Sequence, residues 1–105
     1  MQSSIETFYL EKSINKKKKY SVYYINENNT LSRIDFGASG YSDYTLTNSD
    51  IKKKNYRSRH RHDPYNDMYT PAFWSWHLLW NRKSIVESIK DIISHYNINI
   101  INAVK

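Results

Sequence analysis

The chain has 105 residues, 16 of them Lys or Arg and 10 Asp or Glu, for a formal net charge of +6. Its lack of cysteine excludes a disulfide framework, a thiol nucleophile and any zinc site with Cys ligands. The absence of a run of about 18 apolar residues excludes an ordinary membrane-spanning helix. One domain is the expectation at this length. The N-terminus lacks the apolar stretch of a signal peptide, so the expected setting is soluble and intracellular. Ten tyrosines among 15% aromatic residues mean that much of the core volume comes from rings, with hydroxyls left in water. The charge is uneven: residues 1–62 hold 12 Lys/Arg against six Asp/Glu, whereas residues 63–105 hold four of each. Such an excess favours an acidic partner, nucleic acid or an anionic surface.

Residues 1–19 read as an N-terminal basic arm or short helix, since Ile5, Phe8 and Tyr9 have helical spacing and Lys16–Lys19 follow. The lysine run is either a phosphate-contacting arm or a solvated charge block. A single small domain is then expected over 20–105. Tyr20 to Ile25 is β-branched and aromatic, as a strand requires. Asn26–Asn29 is a turn cluster, because Asn tolerates left-handed backbone. From Thr30 to Phe36 the pattern alternates, which predicts a hairpin with Ile34 and Phe36 facing the core.

Gly37-Ala38-Ser39-Gly40 is a loop whose glycines permit positive φ. It lacks the Lys-Ser/Thr of a phosphate-binding loop. Asn48 or Ser49 caps a helix predicted to run to about His62, with Asp50 complementing its dipole. Lys52, Lys53, Lys54, Arg57, Arg59 and Arg61 wind around that helix, and Ile51 and Tyr56 are its few apolar anchors. Asp63-Pro64 ends it. Thr70 and Pro71 start the next helix as N-cap and first residue, where Phe73, Trp76, His77 and Trp80 repeat at i, i+3, i+4, i+7 and predict one aromatic buried face, widened by Leu79. Ser84 and Glu87 form a capping box for a further helix, with Ile85, Ile89, Ile92 and Tyr96 as its stripe. Ile98 to Val104 is an added strand or a frayed tail. The expected fold is α+β, an N-terminal β-hairpin packed on about three short helices.

His60 and His62 with Asp63 make one metal-like cluster. Positions i and i+2 of a helix point about 200° apart, so the two imidazoles cannot share an ion there. No catalytic serine motif is present and no carboxylates are visibly paired. The chain is therefore expected to be non-enzymatic, with no cofactor and no metal; a metal-dependent nuclease using His60 and an Asp is the third reading. The residues expected to bind nucleic acid, DNA without sequence preference, are Lys52, Lys53, Lys54, Arg57, Arg59, Arg61, Tyr56 and His60. Tyr41, Tyr44 and Tyr65 are further stacking candidates. The alternative is a minor virion or assembly protein that docks on a protein partner through an aromatic surface. That alternative expects an exposed apolar patch of more than a few hundred Å².

Three strings stand out. The first is Phe36-Gly37, Gly40, Ser42-Asp43-Tyr44-Thr45; the second is Tyr56-x-x-Arg59-His60; the third is Phe73-Trp74-Ser75, Leu79-Trp80-Asn81 and Ser88-Ile89-Lys90-Asp91. Together they resemble a family of small uncharacterised proteins encoded by large nucleocytoplasmic DNA viruses, over roughly half of the chain. The chain departs from that pattern at Thr47, where a histidine is common, and at Trp76-His77, where an Arg-Trp pair is expected. The resemblance implies a viral origin and an infected-cell or virion setting, and brings no known activity.

Overall fold

Period-two alternation governs residues 6–12, 18–25 and 31–38. In the computed structural model, which describes residues 5–104, strands β1 (Glu6–Lys12), β2 (Lys18–Ile25) and β3 (Leu31–Ala38) form an antiparallel meander. Helices α1 (Tyr44–Thr47), α2 (Asp50–Arg59), α3 (Pro71–Trp74) and α4 (Ile85–His95) follow, and strand β4 (Ile98–Asn102) closes the fold. A π-helical turn, Ser75–Leu79, continues α3. The strand order is β3-β2-β1-β4, with β4 parallel to β1. The protein is α+β, 34% helical and 28% strand. No helix among the described residues is long and apolar enough to cross a membrane.

The hairpin forms where expected, and Ile34 and Phe36 do face the core. The N-terminal segment differs from expectation. Residues 6–12 are neither arm nor helix but an inner strand between β2 and β4. The deciding signal is Phe8 and Leu10, both fully buried, with Tyr9 and Glu11 turned outward. That period of two places one face on the core, which outweighs the helical spacing of Ile5, Phe8 and Tyr9. Residues 1–4 of the expected arm lie outside the described residues. The C-terminal segment is the added strand, not a frayed tail.

The helices cover one face of the sheet. Phe8, Leu10, Val22, Ile34, Phe36, Ile98 and Ile100 meet Phe73, Trp74, Leu78, Leu79, Ile89 and Ile92 in one cluster. Trp74 is its largest member; the ring lies 5.0 Å from Phe8, and Nε1 donates to the Met68 carbonyl at 2.9 Å. The aromatic helix buries Phe73 and Leu79 as its spacing predicts, but not the rest of the predicted face. Trp76, His77 and Trp80 stay half-buried, while Trp74, Leu78 and Leu79 are enclosed. Beyond Trp74 the π turn accounts for this: the Trp80 N–H bonds the Ser75 carbonyl five residues back at 3.1 Å. The wider turn rotates every later side chain relative to a 3.6-residue helix.

Three caps hold as read. Ser49, Thr70 and Ser84 side chains accept from the N–H groups of Lys52, Phe73 and Glu87. Helix α2 ends at Arg59, short of His62. There His60 Nδ1 lies 2.6 Å from Asp63 Oδ2 and the Asp63 N–H bonds the His60 carbonyl, which folds the backbone into a turn.

Candidate nucleic-acid interface

The polar character of α2 leaves it little to bury, so its side chains decide how it docks. Tyr56 is the anchor, 9% exposed. Its ring is stacked between His60, with centroids 4.2 Å apart, and Trp80, at 4.6 Å and 6° from parallel. Burial raises the Tyr56 pKa above the usual tyrosine range, so the hydroxyl stays neutral. A second stack lies beside it: Tyr65 against Trp76 at 4.0 Å, with the Arg57 guanidinium over Trp76 at 4.7 Å.

These contacts divide the six expected cations into two groups. Lys53 and Arg57 point inward. Lys53 Nζ donates to the Asn81 carbonyl at 2.6 Å and lies 5.0 Å from the Tyr44 ring centroid. Arg57 Nε donates to the Trp80 carbonyl at 3.1 Å. Both satisfy carbonyls at the C-terminal end of the aromatic helix, where the dipole is negative and acceptors lack intrahelical donors. Burial lowers the pKa of each, helped for Lys53 by the nearby Arg57 and Arg82 charges. Their charge is committed to holding helices together. Lys52, Lys54, Arg59 and Arg61 are exposed, and Arg61 donates to the Ser58 carbonyl.

Lys52 and Arg59, seven residues apart on one side of α2, line a cleft of about 640 Å³ that Lys18 also lines from β2. No carboxylate of the described residues comes within 4.0 Å of these three cations. Among the described residues the one carboxylate lining the cleft is Asp43, 2% exposed. It is neutralised: Lys19 Nζ sits 2.6 Å from Oδ2, and the Thr45 N–H and hydroxyl donate to Oδ1. Asp43 thereby caps α1, a helix the sequence reading did not foresee.

The three strings singled out in the sequence converge on this cleft. Gly37 and Asp43 come from the first, Tyr56 and Arg59 from the second, Leu79 and Trp80 from the third. Gly37 has φ 78°, and a β-carbon at that position would strike the Leu79 side chain, so the strand and the aromatic helix approach closely. Behind the cleft, Asn81 Nδ2 donates to Asp91 at 2.6 Å and the Arg82 N–H donates to buried Ser88, which locks α4 onto the end of the π turn.

Of the other stacking candidates, Tyr44 is buried with its hydroxyl donating to Asp50, and Tyr65 lies on Trp76. Tyr41, 73% exposed, stands at the cleft. His62 is exposed. Among the described residues no three His, Asp or Glu side chains gather as a metal-binding group. The sequence reading missed Lys18, Lys19 and Asp43 as parts of this site; the lysine run was the available signal.

A family of unknown function (DUF5754) matches residues 9–60, from within β1 to just past α2. Among the described residues that span holds every Lys and Arg lining the cleft, while Leu79 and Trp80 of its lining lie beyond the span. No curated protein matches the chain, and no solved structure matches it.

Proposed function

We propose that this protein is non-enzymatic and binds nucleic acid through its phosphates, without sequence readout. The observation that carries the reading is the convergence of Lys18, Lys52 and Arg59 on one cleft with no carboxylate of the described residues in ion-pair reach. The net charge of +6 supports it, because phosphate contacts dominate affinity and release counterions. The contact set is narrower than the helix as a whole, since Lys53 and Arg57 face inward. The strings shared in pattern with proteins of large DNA viruses support an infected-cell setting.

Gel retardation of DNA over a salt series tests the reading. Retardation near 50 mM salt should weaken with a log–log slope of about −0.9 per phosphate neutralised. Lys52→Ala with Arg59→Ala should reduce that slope by about 2. A lack of retardation at low salt, or affinity indifferent to salt, refutes it.

A second reading, a minor virion or assembly protein, has one observation in favour. The sheet face away from the helices carries Ile101, Tyr9, Tyr23 and Arg33 in a single row across four strands. Tyr9 and Ile101 are 42% and 44% exposed. Co-purification with capsid protein that Tyr9→Glu abolishes, with DNA affinity unchanged, would favour it.

A further inference from the structure

The cleft has a second chemical character besides its charge. Its lining includes the apolar side chains of Phe36, Leu79 and Pro71 and the aromatic rings of Tyr41, Tyr56 and Trp80. A volume of about 640 Å³ falls within the roughly 300–1,000 Å³ of small-ligand sites. A duplex presents phosphates outward and keeps its base faces stacked within, so it would meet Lys18, Lys52 and Arg59 and leave the apolar lining unused. An unstacked nucleotide would use both: phosphate on the cations, base on the apolar lining against a ring. Tyr41 is the ring suited to that role. The faces of Tyr56 are taken by His60 and Trp80, and Trp76 is covered by Tyr65 and Arg57. Tyr41 stands at the cleft 73% exposed.

We infer that the cleft takes one unpaired nucleotide, its base stacked on Tyr41 and its phosphate held by Lys52, Arg59 and Lys18. This rests on the phosphate-binding reading above and names its substrate as unpaired nucleotide over duplex. The nucleotide belongs to a single strand or is a free 5′-mononucleotide.

The test is a fluorescence titration of the full chain, with Trp80 in the cleft wall as reporter. The probes are dAMP, a ten-residue oligo-dT and a blunt duplex, each at two salt concentrations. Single strand should bind at least about tenfold tighter than duplex at equal salt. Tyr41→Ala should weaken the strand roughly five- to 150-fold, the range of one stacked base, and leave duplex affinity unchanged. Binding of dAMP with the same Tyr41 dependence points to the free nucleotide; strand binding without dAMP binding points to the polymer. Either supports the inference. Duplex binding equal to single strand and indifferent to Tyr41→Ala overturns it and leaves the phosphate-binding reading standing. If no probe binds at low salt, both fall. Tyr41 is exposed, so its removal should not unfold the protein, which circular dichroism of the variant verifies.

Discussion

The rings of Tyr56 and Trp80 lie 6° from parallel with centroids 4.6 Å apart, and this contact joins the basic helix to the aromatic one. An offset stack of this kind contributes about 0.5–1.5 kcal/mol beyond its area. It also fixes the rotation of α2 about its axis. With Tyr56 pinned, Lys53 and Arg57 are turned to the carbonyls of residues 81 and 80, while Lys52 and Arg59 are turned to the cleft.

Arg57 should therefore behave as a stability residue. Arg57→Ala removes a charge-assisted hydrogen bond to the Trp80 carbonyl and a cation–π contact with Trp76, for a loss of about 1.5–3 kcal/mol. The melting temperature should fall by roughly 10 °C. Lys52→Ala, on the exposed side of the same helix, should change stability by less than about 0.5 kcal/mol. Thermal unfolding of the two variants checks this, and equal losses would contradict the division of roles.

The two glycines should respond unequally to alanine. Both hold positive φ, 78° at Gly37 and 86° at Gly40, which costs a side chain roughly 1–2 kcal/mol. A Cβ at Gly40 meets nothing within 4 Å, but one at Gly37 falls 2.8 Å from Leu79 Cδ1 and 3.3 Å from Lys19 Cβ. Gly37→Ala should destabilise by clearly more than Gly40→Ala in urea unfolding, because the core must shift as well.

The Lys19–Asp43 pair is enclosed, with side chains 15% and 3% exposed. Lys19→Met would strand the carboxylate and should cost about 3–5 kcal/mol. Lys19→Met combined with Asp43→Asn should lose less than Lys19→Met alone, because no unpaired charge remains. A denaturant double-mutant cycle reads the coupling.

Stability should fall with acid in two separate windows. Burial lowers the His77 pKa, and its Nε2–H donates to the Tyr65 carbonyl at 2.9 Å. The unfolded chain takes up this proton first, so the stability His77 confers is full above about pH 6.5. It declines as pH drops from there toward the lowered folded value. Asp91 is held below the usual carboxylate range by the Asn81 hydrogen bond and then by Arg82. Its contribution is present above the unfolded carboxylate pKa and vanishes as pH falls through the folded one. Melting temperatures from pH 8 to 3 should show both declines, and His77→Gln should flatten only the upper.

Much of this fold could be read before the structure, where short-range chemistry decided it. The β2–β3 hairpin followed from alternation, and Ser49, Thr70 and Ser84 announced their helices because a cap needs only three residues of context. Strand β1 was not legible, since Phe8 fits a period of two or of 3.6 and only the burial of Leu10 separates them. The π turn was hidden because a residue inserted into a helical repeat leaves no composition of its own. The cleft was half visible. A lysine run and a basic helix can be seen apart, but which cations face a common space depends on Tyr56 and on carbonyls 28 and 23 residues away from Lys53 and Arg57. In the sequence Asp43 is one of several scattered acids, and only the fold brings Lys19 against it.

Glu6 is the register partner of Ile98, so the first and last described strands lie side by side. During synthesis the inner strand has an open edge until β4 leaves the ribosome, and the long crossover must close before that edge is covered. A chain cut just before Ile98 would expose β1 as a sheet edge, which makes such a fragment prone to pairing with itself. Tags placed before β1 and after β4 would emerge from neighbouring strands at opposite ends of the sheet, because parallel strands begin, not meet, together.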